Sequence, residues 1–77
     1  MDKVIRCIHA VFPDADESAL TPESRLGGIP GWDSMNSVNL LLELEAAFSV
    51  RLLNEMLSGD QRLADVVALL RSKGASA

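Results

Sequence analysis

Seventy-seven residues with a formal charge of −4, 48% apolar and 4% aromatic, describe one small domain with an aliphatic core. A single cysteine excludes an internal disulfide, and one histidine beside it makes no metal site. The acidic balance, with a pI near 4.7, argues against nucleic acid, whose binding rests on Lys and Arg neutralising phosphates.

An acidic surface suits basic patches on protein partners, and it also serves solubility alone. No apolar run approaches the ~18 residues of a membrane span. The opening Met1-Asp2-Lys3-Val4 lacks a basic region followed by a long apolar run, so no signal peptide is expected and a cytoplasmic location follows by default.

Asp2 can cap a first helix whose apolar positions, Val4, Ile5, Ile8, Val11 and Phe12, form a single stripe. Cys7 and His9 flank that stripe, the first as a small boundary hydrophobe and the second as a half-exposed surface residue. Pro13 ends the element. A long connection then runs to Gly31, with Leu20, Leu26 and Ile29 spaced as apolar anchors and Thr21-Pro22 able to start one helical turn. Asp14, Asp16 and Glu17 lack EF-hand spacing, and Gly27-Gly28 lacks the Lys-Ser or Lys-Thr of a phosphate loop.

Pro30 and Gly31 break the chain before an unbroken helical pattern from about Ser34 to Phe48. Asp33 or Ser34 can accept from the first-turn amides, which puts a serine hydroxyl at the positive end of the longest helix. At about 100° per residue, Ser37, Leu40, Leu41, Leu44, Ala47 and Phe48 fall in one arc, the core face. Met35, Val38, Leu42 and Ala46 form a second arc, separated from the first by Ser34 and Glu45. One small core does not need two such arcs, so the second reads as a partner surface, the alternative being a wider core.

Beyond Phe48, Asn54 can cap a short helix burying Met56 and Leu57, and Ser58-Gly59 stops it. Asp60 can cap a last helix whose core stripe is Leu63, Val66, Val67 and Leu70. Gly74 ends that helix, and residues from about Ala75 to Ala77 should fray. The whole of residues 1–77 reads as a single domain.

Asp33-Ser34-Met35 opens the long helix; Leu20-Thr21-Pro22-Glu23-Ser24-Arg25-Leu26 precedes it, and Val38-Asn39-Leu40-Leu41-Leu42-Glu43-Leu44-Glu45 and Phe48 follow. In this arrangement, which takes in nearly the whole chain, the sequence resembles the acyl carrier protein family, with Met35 in place of the usual Leu. The resemblance implies an all-α fold: a small four-helix bundle with a long loop between helices I and II and a short helix III. It implies that Ser34 bears a covalent 4′-phosphopantetheine arm beside the flanking Asp33. A separate phosphopantetheinyl transferase would attach the arm from coenzyme A with Mg²⁺.

The arm would hold acyl groups as thioesters for acyl-loading and acyl-processing enzymes of fatty-acid, polyketide or related biosynthesis. The chain would then be a monomeric carrier and not an enzyme. In keeping with that, no Ser-His-acid set is evident, and the one imidazole sits on another element. The implied partner surface is Met35, Val38, Leu42, Glu43 and Glu45. The chain departs from the family in having Asn36, Asn39, Ala46 and Ala47 where acids often stand, which weakens electrostatic steering by basic partners. Two other readings stay open: a peptidyl carrier of the same fold, and a non-covalent helical adaptor in which Ser34 is only a cap.

Overall fold

The computed structural model describes residues 2–52 and 55–76. It is mainly helical, with α1 (Asp2–Val11), α2 (Ser34–Phe48) and α3 (Leu63–Ser72), and no strand among the described residues. Single 3-10 turns at Glu17–Ala19 and Leu26–Gly28 lie in the connection between α1 and α2. No helix among the described residues is long and apolar enough to cross a membrane.

The first helix buries Val4, Cys7 and Ile8, with Phe12 buried just past its end. Its apolar stripe is rotated from the expected one: Ile5 and Val11 are half-buried while Cys7 is core. Burial pushes the Cys7 thiol up, Glu43 adding to the shift and Lys3 opposing it. Asp2 occupies the first turn and is not a preceding cap. The Lys3 ammonium lies 4.9 Å above the centre of the Phe48 ring, linking α1 to the far end of α2.

In α2, Leu40, Leu41 and Leu44 are buried, and Ala47 and Phe48 pack half-buried against the core. Ser49, in the left-handed region at φ 55°, ends the helix. Ser37 departs from its expected core place: it is half-buried and its Oγ donates to the Ser34 carbonyl at 2.7 Å.

Of the expected anchors, Leu26 and Ile29 are buried and Leu20 is partly so, with Ala15 joining them. The Thr21-Pro22 region is a turn without helix: the Thr21 amide donates to Ser24 Oγ at 2.9 Å, and the Ser24 amide to the Thr21 carbonyl at 3.0 Å. The chain then pairs antiparallel with the approach to α3. Leu26 donates to Gln61 at 2.8 Å, while Leu63 and Ala64 donate to Ser24 and Pro22, each at 2.9 Å.

Close backbone approach at the end of this pairing favours glycine on both sides. A Cβ on Gly27 would lie 3.0 Å from the Gly59 carbonyl oxygen, and one on Gly59 would lie 3.2 Å from Gly27 Cα.

That pairing relocates the start of the last helix. Asp60 lies in a turn and does not cap it; α3 opens at Leu63, with the Arg62 amide donating to Asp65 Oδ2 at 2.9 Å. The predicted stripe of Leu63, Val66, Val67 and Leu70 is buried. Gly74, at φ +91°, closes the helix: its amide bonds the Arg71 carbonyl and that of Ala75 the Leu70 carbonyl. Ala75 is therefore tied down and packs against the core, where fraying was expected.

Between α2 and α3, Leu52 and Leu57 are buried, but Met56 is 86% exposed and does not join the core as the sequence implied. Residues 55–58 form no helix, and the expected cap Asn54 lies outside the described residues. Side chains of α2 and of the α3 C-cap also hold the segment. A Glu45 carboxylate oxygen accepts from the Leu52 amide, and Lys73 Nζ pairs with Glu55 at 2.9 Å.

Candidate functional site

The approach to α2 is a tight turn in which Trp32 N–H bonds the Ile29 carbonyl at 3.0 Å. Proline and glycine fill its two central positions, Gly31 at φ +90°, the arrangement of a type II turn. The half-buried Trp32 then stacks on Phe12, with ring centroids 5.7 Å apart. Asp33 is extended, and its Oδ1 accepts from the Asn36 amide at 2.7 Å, a side-chain cap that fixes where α2 begins.

Ser34 is the first residue of the helix and is exposed. By helix geometry its own amide and that of Met35 have no intrahelical acceptor, so the positive end of the macrodipole lies at this serine. Asn36 and Asn39 have a local task. Asn36 Nδ2 donates to the Gly31 carbonyl at 3.1 Å, and Asn39 Nδ2 donates to Asn36 Oδ1 at 3.1 Å. A carboxylate at position 36 could not give the first bond.

Beside Ser34, a cleft of about 590 Å³ opens between α2 and residues 55–57. Trp32, Val38, Leu41, Leu42, Met56 and Leu57 give it apolar walls; Asp33, Ser34, Ser37 and Glu55 add polar groups. Sequence reasoning missed this cleft and the role of Trp32. Met56 and Leu57, an apolar pair just ahead of Ser58-Gly59, were the available signal.

The predicted partner residues divide. Met35, Val38 and Leu42 are 74%, 52% and 48% exposed; Val38 and Leu42 line the cleft, Met35 follows Ser34 without lining it, and Leu42 also borders the groove that holds Glu43. Glu43 stands about half a turn around the helix from Ser34, in a groove with Val11, Asn36 and Asn39. Glu45 lies about three turns along α2 from Ser34 and is half-buried, engaged with the Leu52 amide. The structure thus sets Val38 and Leu42 in the cleft that Ser34 also lines and leaves both acids out of it.

The cleft lining holds no imidazole; its carboxylates are Asp33, which accepts from the Asn36 amide, and Glu55, paired with Lys73. His9 lies with Arg6, Asp16 and Ser18 in a separate groove. There Ser18, through its hydroxyl and its amide, holds the Asp16 carboxyl below the usual carboxylate range. No group of His, Cys, Asp and Glu among the described residues could hold a metal ion. No protein-family model matches this chain, and no solved structure matches it.

Proposed function

We propose that this chain is an acyl carrier protein in which Ser34 Oγ bears a 4′-phosphopantetheine arm. The observation that carries the reading is an exposed serine at the first position of the longest helix, capped by its Asp33 neighbour, with an apolar cleft alongside. The residues fit the group. A phosphodiester on Ser34 would meet the positive end of α2 and two first-turn amides without intrahelical acceptors. The neighbouring Asp33 carboxylate already accepts from the Asn36 amide, which offsets part of its charge.

When attached, the arm supplies a terminal thiol that carries acyl groups as thioesters. This chain's own residues position and expose; they do not catalyse. Asp33 and the Asn36–Gly31 bond hold the serine at the helix opening. Trp32, Val38, Leu41, Leu42, Met56 and Leu57 offer an apolar lining to cargo beside it. Met35, Val38 and Leu42 form the surface toward the transferase and the acyl-loading and acyl-processing enzymes.

Intact mass after incubation with a broad-specificity phosphopantetheinyl transferase, coenzyme A and Mg²⁺ tests the reading. The expected result is one added arm, lost in Ser34→Ala with helix content unchanged. An unmodified chain would leave the non-covalent adaptor; an arm mapped to Ser24, Ser37 or Ser49 would sink the site.

A further inference from the structure

Apart from Met1, the chain has two methionines, Met35 and Met56, and both stand at the face just described. They are 74% and 86% exposed, far above the other large apolar side chains of that face. Met56 lines the cleft and Met35 follows Ser34 directly. Among the described residues the remaining sulfur is shielded, because Cys7 is only 4% exposed and burial pushes its thiol up, away from the reactive thiolate. Among the described residues, the sulfur offered to solvent is thus thioether sulfur, at Met35 next to Ser34 and at Met56 in the cleft.

We infer that Met35 and Met56 are a reversible oxidation site whose conversion to sulfoxides weakens apolar binding at the cleft while leaving the helical fold intact. The oxidant is a hydroperoxide such as hydrogen peroxide. The thioether sulfur attacks one peroxide oxygen, an S–O bond forms and the O–O bond breaks. The sulfur loses two electrons, the peroxide gains them, and the departing oxygen leaves with the proton as water. Each product side chain carries a strong dipole where a flexible apolar group stood, and methionine sulfoxide reductases return it to the thioether. Neither side chain belongs to the buried core, so the helices keep their packing.

That this matters for loading rests on the carrier reading; the oxidation chemistry itself does not. The full chain is treated with hydrogen peroxide, oxidation is mapped by peptide mass, and helix content is followed by circular dichroism. Cleft binding is read with a neutral solvatochromic dye such as Nile red and with the emission of Trp32, the sole tryptophan. Met35 and Met56 should oxidise together at close to the rate of free methionine, with Cys7 spared and helicity unchanged. Dye binding should fall several-fold and return after treatment with the reductases.

The Met35→Leu, Met56→Leu double variant should bind dye as well as the unmodified chain and be indifferent to peroxide. Unchanged dye binding after both sulfoxides have formed overturns the inference, as does an equal peroxide-induced loss in the double variant. Protection of Met56 from oxidation overturns it too. A failure of the transferase to modify Ser34 would remove the carrier reading and leave each of these outcomes as it is.

Discussion

The indole of Trp32 and the ring of Phe12 lie stacked with their planes 22° apart. Through that contact the end of α1 holds the turn that delivers Ser34 to the head of α2. Phe12 is almost wholly buried, whereas Trp32 keeps one side toward the cleft, so the two rings serve different ends.

Phe12→Ala should therefore cost about 3–5 kcal/mol, a large part of the stability of a small domain. Trp32→Ala should cost clearly less and, on the proposed carrier function, should slow transferase modification of Ser34 by loosening the turn. Denaturant melts and modification rates on both variants check this. Equal losses of stability would mean that Trp32 is a core residue and not a wall of the cleft.

The two arcs of α2 should separate in the same way. Leu44 is fully buried and Leu44→Ala should cost about 2–5 kcal/mol. Val38, at 52% exposure, should cost well under that when cut to Ala. Thermal unfolding that shows the two variants equally damaged would place the second arc in the core.

Glu45 should behave as a structural acceptor. Glu45→Ala leaves the part-buried Leu52 amide unanswered, at about 1–3 kcal/mol. Glu45→Gln keeps a side-chain carbonyl there and should recover most of the loss. By contrast, Lys73→Ala removes an ion pair whose two side chains are each about a third exposed, worth at most about 1 kcal/mol and weaker in salt. A Glu45→Gln chain as unstable as Glu45→Ala would show that the carboxylate charge, and not the hydrogen bond, is what counts.

On the proposed carrier function, docking to the transferase should rest on apolar contact more than on charge. From Ser34 to Leu42 the helix carries no charged residue, and Glu43 and Glu45 are directed to other places. Leu42→Asp should weaken binding strongly, because the new carboxylate would be desolvated at the contact. Raising ionic strength across the physiological range should change the affinity little. A steep salt dependence with indifference to Leu42→Asp would refute this. Asn36→Asp should not help, since it forfeits the bond to the Gly31 carbonyl.

What the sequence made legible was periodic or local. The bounds of α2, its two arcs and the cap at Asp33 follow from about 3.6 residues per turn and one acceptor side chain. What it hid was made by distant partners. Asp60 looks like a cap, yet the start of α3 is decided by carbonyls of the first long loop. Met56 looks like core by composition, yet it is exposed and forms a wall of the cleft beside α2. Asn36 looks like a lost acid until its bond to Gly31 is seen.

The pairing of Leu63 and Ala64 with Ser24 and Pro22 also bears on the order in which the chain folds. Ten residues make a marginal helix by themselves, and the first turn of α3 is completed by groups roughly forty positions upstream. The last helix is then not an autonomous unit. It closes only when the loop has settled on Leu26 and Ile29, so both assemble late and together. Opening at the tail of the molecule would be felt at once in the strand of chain that leads to Ser34.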